Sequence, residues 1–241
     1  MDRTFLHSWP ALGFALMLVV MTGCAGNPME GITTTWPVSF LYREKPDTIP
    51  GVISPMQRIE QYRDLANAAA GKSAGEQQRV AADLTQTIKQ EQDPLVRAQI
   101  VRTLAHYPTD LSAAVLTAAM RDSSADVRSA CCEAWARLRG QDAVRILSET
   151  LASDTNIDVR LAAARALGEL RDPAAVDTLA MALGDSDPAL QRRAVSSLES
   201  ITGKDYGSDF QAWQQYARGG QPAPRRSSDS VVTRLRNLSP F

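Results

Sequence analysis

The feature that most constrains the fold is a short segment that recurs along the chain at a nearly constant interval. Val96-Arg97, Val127-Arg128 and Val159-Arg160 are three successive copies, and Leu190-Gln191 takes the same place one interval further on. The period is about 31 residues, and a period of roughly 20 to 50 residues is typical of proteins that stack copies of one small unit. The chain is therefore predicted to form an array of repeated units.

Each of these four starting points is followed by the same apolar pattern. Apolar residues stand three, four, seven and ten positions further on, a spacing that lines one face of an α-helix. Nineteen positions after the first three starting points, a second apolar stripe begins at Leu116, Leu147 and Leu179. Each unit is thus predicted to be a hairpin of two short helices, whose apolar faces are buried by the neighbouring units.

Capping residues mark where the helices begin and end. Asp93-Pro94, Asp172-Pro173 and Asp187-Pro188 each place a capping carboxylate before a proline that suits the first helical position. Ser54-Pro55 gives a similar start to the first helix. Glycines are predicted to interrupt or end helices at four places, namely Gly71, Gly75, Gly140 and Gly184.

The start of the unit resembles that of the HEAT-repeat family, in the short form also found in phycobilisome lyases. Two openings carry the resemblance, Asp93-Pro94-Leu95-Val96-Arg97-Ala98 and Asn156-Ile157-Asp158-Val159-Arg160-Leu161. It covers residues 93–202 clearly and 55–92 as a degenerate first unit. The resemblance implies an all-α fold, an α-solenoid of about five HEAT-like helix pairs over residues 55–217.

The N-terminus is interpreted as an export signal with a lipid anchor. Residues 1–23 are predicted to be a signal peptide, because the apolar run Ala11–Met21 is too short to span a bilayer. Met21-Thr22-Gly23-Cys24 resembles the bacterial lipobox, which implies lipidation of Cys24. Ala25 stands where an aspartate would resemble an inner-membrane retention signal, which favours the outer membrane. An ordinary cleaved signal with an incidental cysteine is the alternative.

Two segments outside the repeats have other compositions. Residues 24–54 are rich in Gly, Pro and Thr and are predicted to be a tether, although alternate apolar residues from Ile32 to Tyr42 would also fit an extended segment lying against the folded domain. Residues 218–241 are predicted to be a disordered basic tail.

Residues that carry chemistry are few. Adjacent Cys131 and Cys132 fall on a core stripe and are interpreted as buried thiols, and His106 falls at a helix end. We predict no cofactor, no metal site and no small-molecule substrate. The HEAT-like iron enzyme deoxyhypusine hydroxylase is excluded because the chain contains no His-Glu pair. A bilin-lyase-like enzyme, or its accessory subunit, is the remaining catalytic alternative, which a groove lined by convergent polar groups would favour.

The charges also bear on the partner. The chain has 26 Lys+Arg and 27 Asp+Glu, a net charge of −1, which argues against nucleic-acid binding.

The recurring Arg97, Arg128 and Arg160 are predicted to form structural ion pairs, with Asp93, Asp126 and Asp158 as the nearby acids. Alternating signs at Arg102, Glu133 and Arg165 favour pairing between units.

We therefore predict a non-catalytic scaffold for protein–protein interaction, anchored to the membrane through Cys24 in the cell envelope, with an unknown protein partner. The predicted partner-binding residues on the second helices are Arg145, Glu149, Asp177 and Met181. Trp213 is a further candidate in the last unit, where Phe210, Trp213 and Tyr216 would alternatively close the open end of the array.

Overall fold

A computed structural model describes residues 53–223, except for the side chain of Gln141. Within this range ten α-helices follow one another: α1 Pro55–Asn67, α2 Ala74–Gln90, α3 Pro94–Leu104, α4 Asp110–Ala119, α5 Ala125–Leu138, α6 Gln141–Ser153, α7 Ile157–Leu170, α8 Val176–Ala182, α9 Pro188–Thr202 and α10 Phe210–Ala217. Single 3-10 turns occupy Ala69–Gly71 and Pro173–Ala175. The signal peptide, Cys24, all but the end of the tether and most of the basic tail lie outside the described residues. None of the described helices is long and apolar enough to cross a bilayer.

The helices form five consecutive pairs, arranged as two rows. The first helices of the pairs (α1, α3, α5, α7 and α9, the first-helix row) each pack against the next one in the row. In the second-helix row, α2 packs on α4, α6 on α8, and α8 on α10. The predicted α-solenoid is confirmed.

The predicted helix starts are present in atomic detail. Ser54 caps α1 in a reciprocal arrangement with Gln57, and Asp93 and Asp187 accept hydrogen bonds from the first backbone N–H groups of α3 and α9. The interruption expected at Gly75 is wrong, since this glycine lies inside the first turn of α2. Ser73 and Glu76 form a capping box there, and its hydrogen bonds offset the cost of a glycine at a helix start.

The core is built from the predicted apolar stripes of both rows. Fully buried side chains include Ile100, Leu104, Leu116, Leu147, Leu167, Leu179 and Leu198. Small residues set the spacing between α7 and α9. A Cβ atom on Gly168 would lie 2.7 Å from Ser197 Oγ and 2.9 Å from Ser197 Cβ, so the absence of a side chain at residue 168 is what lets the two helices approach.

Replacing Gly168 by alanine is expected to destabilise the chain by about 1–3 kcal/mol, because the added methyl group overpacks the α7–α9 contact. Urea unfolding followed by circular dichroism measures the change in free energy. Gly75→Ala is the matched control, since nothing lies within 4 Å of its added Cβ. The control should be neutral or stabilising by up to about 1 kcal/mol, and equal losses in both variants would contradict the explanation.

Candidate functional site

The recurring arginines join successive units. Arg97 donates two hydrogen bonds of 2.9 Å to the Asp122 carboxylate, and Arg128 donates two, of 2.8 and 3.0 Å, to Asp154. Arg160 makes the corresponding contact with Asp185. We call these three pairs the arginine–aspartate ladder.

The ladder confirms that the recurring arginines form ion pairs between units, but the partners expected for them were wrong. Asp93 is occupied as the N-cap of α3, where it accepts from the backbone N–H of Leu95 at 2.9 Å. Asp126 and Asp158 lie exposed in the first turns of their own helices. The acids that pair with the arginines instead lie in the loops that begin the next units.

Two of the ladder arginines, Arg97 and Arg128, also hold the loop at the start of their own unit. Arg128 Nη1 donates to the backbone carbonyl of Asp122 at 2.9 Å, so Asp122 is bound through its side chain by Arg97 and through its backbone by Arg128. In the last unit Gln191 takes over this role, donating to the carbonyl of Asp185 at 2.7 Å. The ladder therefore joins the second, third, fourth and fifth units in series, and its arginines are engaged within the chain.

The electrostatics of the ladder stabilise the ionised carboxylates. Hydrogen bonds from the Arg128 guanidinium lower the pKa of Asp154 despite partial burial, with help from the backbone N–H of Asn156. For Asp122, burial opposes ionisation, but hydrogen bonds from Arg97 and the Ser124 backbone outweigh it and lower the pKa. A carboxyl group whose pKa is lower in the folded chain stabilises the fold fully at pH values above its unfolded pKa. This stabilisation is lost as the pH falls through the folded pKa.

Asp154→Asn should reduce the free energy of unfolding at neutral pH, because the variant cannot form the ionised pair with Arg128. The difference from the parent chain should shrink as the pH falls below about 4, the ordinary range of an aspartate pKa. Urea unfolding at a series of pH values measures both effects. Asp142→Asn is the control, since the Asp142 side chain is 76% exposed, and a pH-independent loss in Asp154→Asn would contradict the assignment.

The four partner-binding residues predicted on second helices lie on the neighbouring helices α6 and α8. Arg145 donates to Glu149 at 3.0 Å and to Asp142 at 3.4 Å, and these pairs are exposed on the surface of α6. Asp177 is exposed on α8, and Met181 on the same helix is 70% exposed. A methionine this exposed is available for contact with another molecule.

Trp213 has to be removed from the predicted partner-binding set. Its side chain is fully buried, and Nε1–H donates to the backbone carbonyl of Gly207 at 3.0 Å. The Tyr206 ring meets the Trp213 ring edge-on, with centroids 4.8 Å apart. The tryptophan is instead part of the packing in the last helix pair, because the loop from 203 to 209 folds over it.

A group of arginines that the sequence analysis did not single out lies on the first-helix row. Arg139 and Arg171 follow α5 and α7 at equivalent positions of successive units, and both have positive φ angles, of 64° and 55°. The equivalent residue after α9 is Gly203, with φ 67°. A positive φ costs a residue with a side chain about 1–2 kcal/mol that glycine avoids. The recurrence of an arginine one repeat further on was the signal in the sequence that could have identified them.

These arginines border a cavity of about 780 Å³ at the contact of α7 with α9, which we call the arginine groove. It is lined by four arginines, by Glu169 and by small residues that include Gly168 and Ser200; the arginines are Arg139, Arg165, Arg171 and Arg193. Arg165 pairs with Glu133 at 2.9 Å and with Glu169 at 3.6 Å. Within residues 53–223, Arg139, Arg171 and Arg193 have neither an ion pair nor a side-chain hydrogen bond. The groove therefore presents three guanidinium groups without an ion pair in this range, against the single carboxylate of Glu169, which pairs with Arg165.

The hydroxyl groups beside the groove are engaged in the helix contact. Ser197 Oγ donates to the carbonyl of Ala164 at 2.8 Å, and Ser200 Oγ donates to the carbonyl of Gly168 at 3.1 Å. A serine nucleophile instead donates its proton to a general base. The convergent polar groups of the groove thus suit binding of a negatively charged group better than covalent catalysis.

The cysteines and the histidine fit structural roles. Cys131 and Cys132 are free and fully buried on α5, as predicted. Burial raises the pKa of Cys132 to about 12, and it raises that of Cys131 as well, so both thiols stay protonated at neutral pH. His106 lies just after α3, and partial burial together with the nearby Arg137 charge lowers its pKa. Among residues 53–223, no group of three or more His, Cys, Asp or Glu side chains is placed to hold a metal ion.

Comparison with protein-family models agrees with the architecture. A family model described as HEAT repeats matches residues 81–162 and 149–212, which together span more than half of the chain. The crystal structure of an engineered protein from the Northeast Structural Genomics Consortium is similar at 19% sequence identity and a TM-score of 0.43, covering 70% of this chain and 94% of that one. No match was found among curated proteins.

Proposed function

The chain belongs to the HEAT-repeat family, and on this basis we propose that it is a non-catalytic scaffold that binds a protein partner in the bacterial cell envelope. A solenoid offers a partner an extended surface whose side chains are held at fixed positions. The scaffold acts by presenting this surface near a membrane, where tethering raises the effective concentration of a nearby partner.

The observation that carries the proposal is an exposed surface of apolar and charged side chains on a solenoid whose units are joined by the arginine–aspartate ladder. The ladder fixes the loops between successive units, so binding a partner requires little ordering of the backbone, and less of the interaction energy is lost. On the second-helix row, Met181 provides an apolar contact, with Asp177 on the same helix and the Arg145–Glu149 pair on the neighbouring one. An exposed methionine among charged residues is suited to the centre of a moderate protein interface.

Photocrosslinking in intact cells tests this surface. A photoreactive amino acid at Met181 is expected to capture one defined protein, which is then identified and shown to bind the purified chain. The same amino acid at Gln78, an exposed position of α2, serves as the control and should not capture that protein. No adduct at Met181, or the same adducts at both positions, would overturn the proposal for this face.

The proposed location rests on the lipobox-like Met21-Thr22-Gly23-Cys24. Lipidation of Cys24 would anchor the chain, since several acyl chains on one residue hold a protein stably in a bilayer. Cells that express the chain are labelled with a fatty-acid probe, and the label should be lost in Cys24→Ala. Cys131→Ala should keep the label, because that thiol is buried. Label that persists in Cys24→Ala would exclude the anchor.

A further inference from the structure

We propose that the arginine groove binds an acidic segment of a partner protein, an extended stretch that carries several Asp or Glu side chains. This inference rests on the proposed scaffold function and specifies the chemical character of the partner segment that is bound. It concerns the first-helix row, and therefore a different surface from the one that carries Met181.

The backbone conformation at two positions indicates that these arginines do not favour the local fold. Arg139 has φ 64° and ψ −172°, a region that is almost restricted to glycine. Arg171 adopts the left-handed helical conformation, with φ 55° and ψ 33°. The following unit has Gly203 at the equivalent position, so the repeat accepts glycine there. Side chains kept at strained positions in two successive units point to a role on the surface.

The groove has the chemistry to bind carboxylates. A guanidinium group is planar and matches a carboxylate with two parallel hydrogen bonds, and it stays charged at every physiological pH. Arg139, Arg171 and Arg193 are exposed and have no acidic partner within residues 53–223. The volume of the groove, about 780 Å³, is large enough for a short stretch of extended peptide backbone.

A protein segment fits the groove better than an anionic membrane surface or a nucleic acid. Glu169 lines the groove and Glu133 pairs with the groove residue Arg165, and both carboxylates would repel a continuous layer of phosphates. The large exposed apolar side chains of the described range, which could enter a membrane interface, lie outside the groove at Ile53, Met56, Leu95, Leu111 and Met181. The net charge of the chain is −1, which gives no general attraction for polyanions. A peptide can place single carboxylates against single arginines and avoid the two glutamates.

Fluorescence anisotropy with the purified full-length chain tests the proposal. The probe is a labelled synthetic peptide of about ten residues in which single Glu residues are separated by Ser or Gly, and the comparison peptide has Gln in place of each Glu. We expect saturable binding of the Glu peptide that weakens as salt is added, and at least tenfold weaker binding of the Gln peptide. Equal binding of both peptides would overturn the proposal.

The decisive variant is the double substitution Arg139→Gly/Arg171→Gly. Glycine relieves the positive φ angles, so the unfolding midpoint should stay the same or rise while peptide affinity falls at least tenfold. Arg79→Ala/Arg121→Ala removes the same charge from exposed positions outside the groove and should change affinity less than threefold. Unchanged affinity in the glycine variant, or an equal loss in the control, would overturn the proposal.

Two further measurements separate this proposal from its alternatives. Vesicles of phosphatidylglycerol should not bind in a way that depends on Arg139 and Arg171, and if they do while the peptide does not bind, the groove recognises lipid phosphates instead. Peptide binding that is lost in the glycine variant, combined with failure of the Met181 crosslink, would support the groove and reject the second-helix surface. The reverse result would reject the groove alone.

Discussion

Replacing Trp213 by alanine is expected to destabilise the last helix pair by about 3–5 kcal/mol, the usual cost of removing a large aromatic side chain from a core. The tryptophan is fully buried and fills the space between α10 and the loop that precedes it. Its Nε1–H group donates to the Gly207 carbonyl, and its ring packs edge-on against Tyr206. No neighbouring residue within the described range can take over both interactions.

Because solenoid units contact mainly their neighbours, the effect should be local. Hydrogen exchange of the purified chain should show loss of protection in α10 and reduced protection in α8, on which α10 packs, with α3 and α5 little changed. Trp213→Phe is the graded control, since it keeps an aromatic ring and loses mainly the hydrogen bond, at about 1–3 kcal/mol. Unchanged protection of α10 in Trp213→Ala would mean that the ring does not hold the last pair together.

The architecture could be predicted from the sequence because each unit repeats the same local rules. A stripe at helical spacing after Val96, Val127 and Val159 defines a buried face, and a capping residue before a proline defines where a helix starts. One such unit is ambiguous, but four in the same order leave a stacked array as the arrangement that buries every stripe.

The errors concern contacts that join distant parts of the chain. Asp122 and Asp154 were not recognised as ladder partners, because pairing across 25 or 26 residues depends on how one unit is rotated against the next. Trp213 was a candidate for binding because its exposure depends on the path of the preceding loop. Arg139 and Arg171 were missed since their significance lies in a positive φ, which residue type alone does not predict for arginine.

The second large effect is expected at the centre of the ladder. Arg128→Ala should destabilise the chain by about 3 kcal/mol, because it leaves the Asp154 carboxylate without its partner in a largely buried site. The side chains of Arg128 and Asp154 are only 15% and 10% exposed, and two hydrogen bonds join them. The Arg102–Glu133 pair has side chains 42% and 37% exposed, so Arg102→Ala should cost less than about 1 kcal/mol.

A double-mutant cycle between Arg128→Ala and Asp154→Ala separates the pair from the packing around it. Urea unfolding of the four chains should give a coupling energy of about 1–3 kcal/mol, and a value near zero would mean that each side chain acts through other contacts.

The ladder has a second consequence for binding, because Arg128 holds α5 against the start of the unit that contains α7. Arg139 follows α5 and Arg171 follows α7, and the ladder contributes with the α5–α7 packing to holding these two arginines at a fixed spacing. Arg128→Ala should therefore weaken binding of the acidic peptide while leaving both arginines in place, and Arg102→Ala should weaken it less.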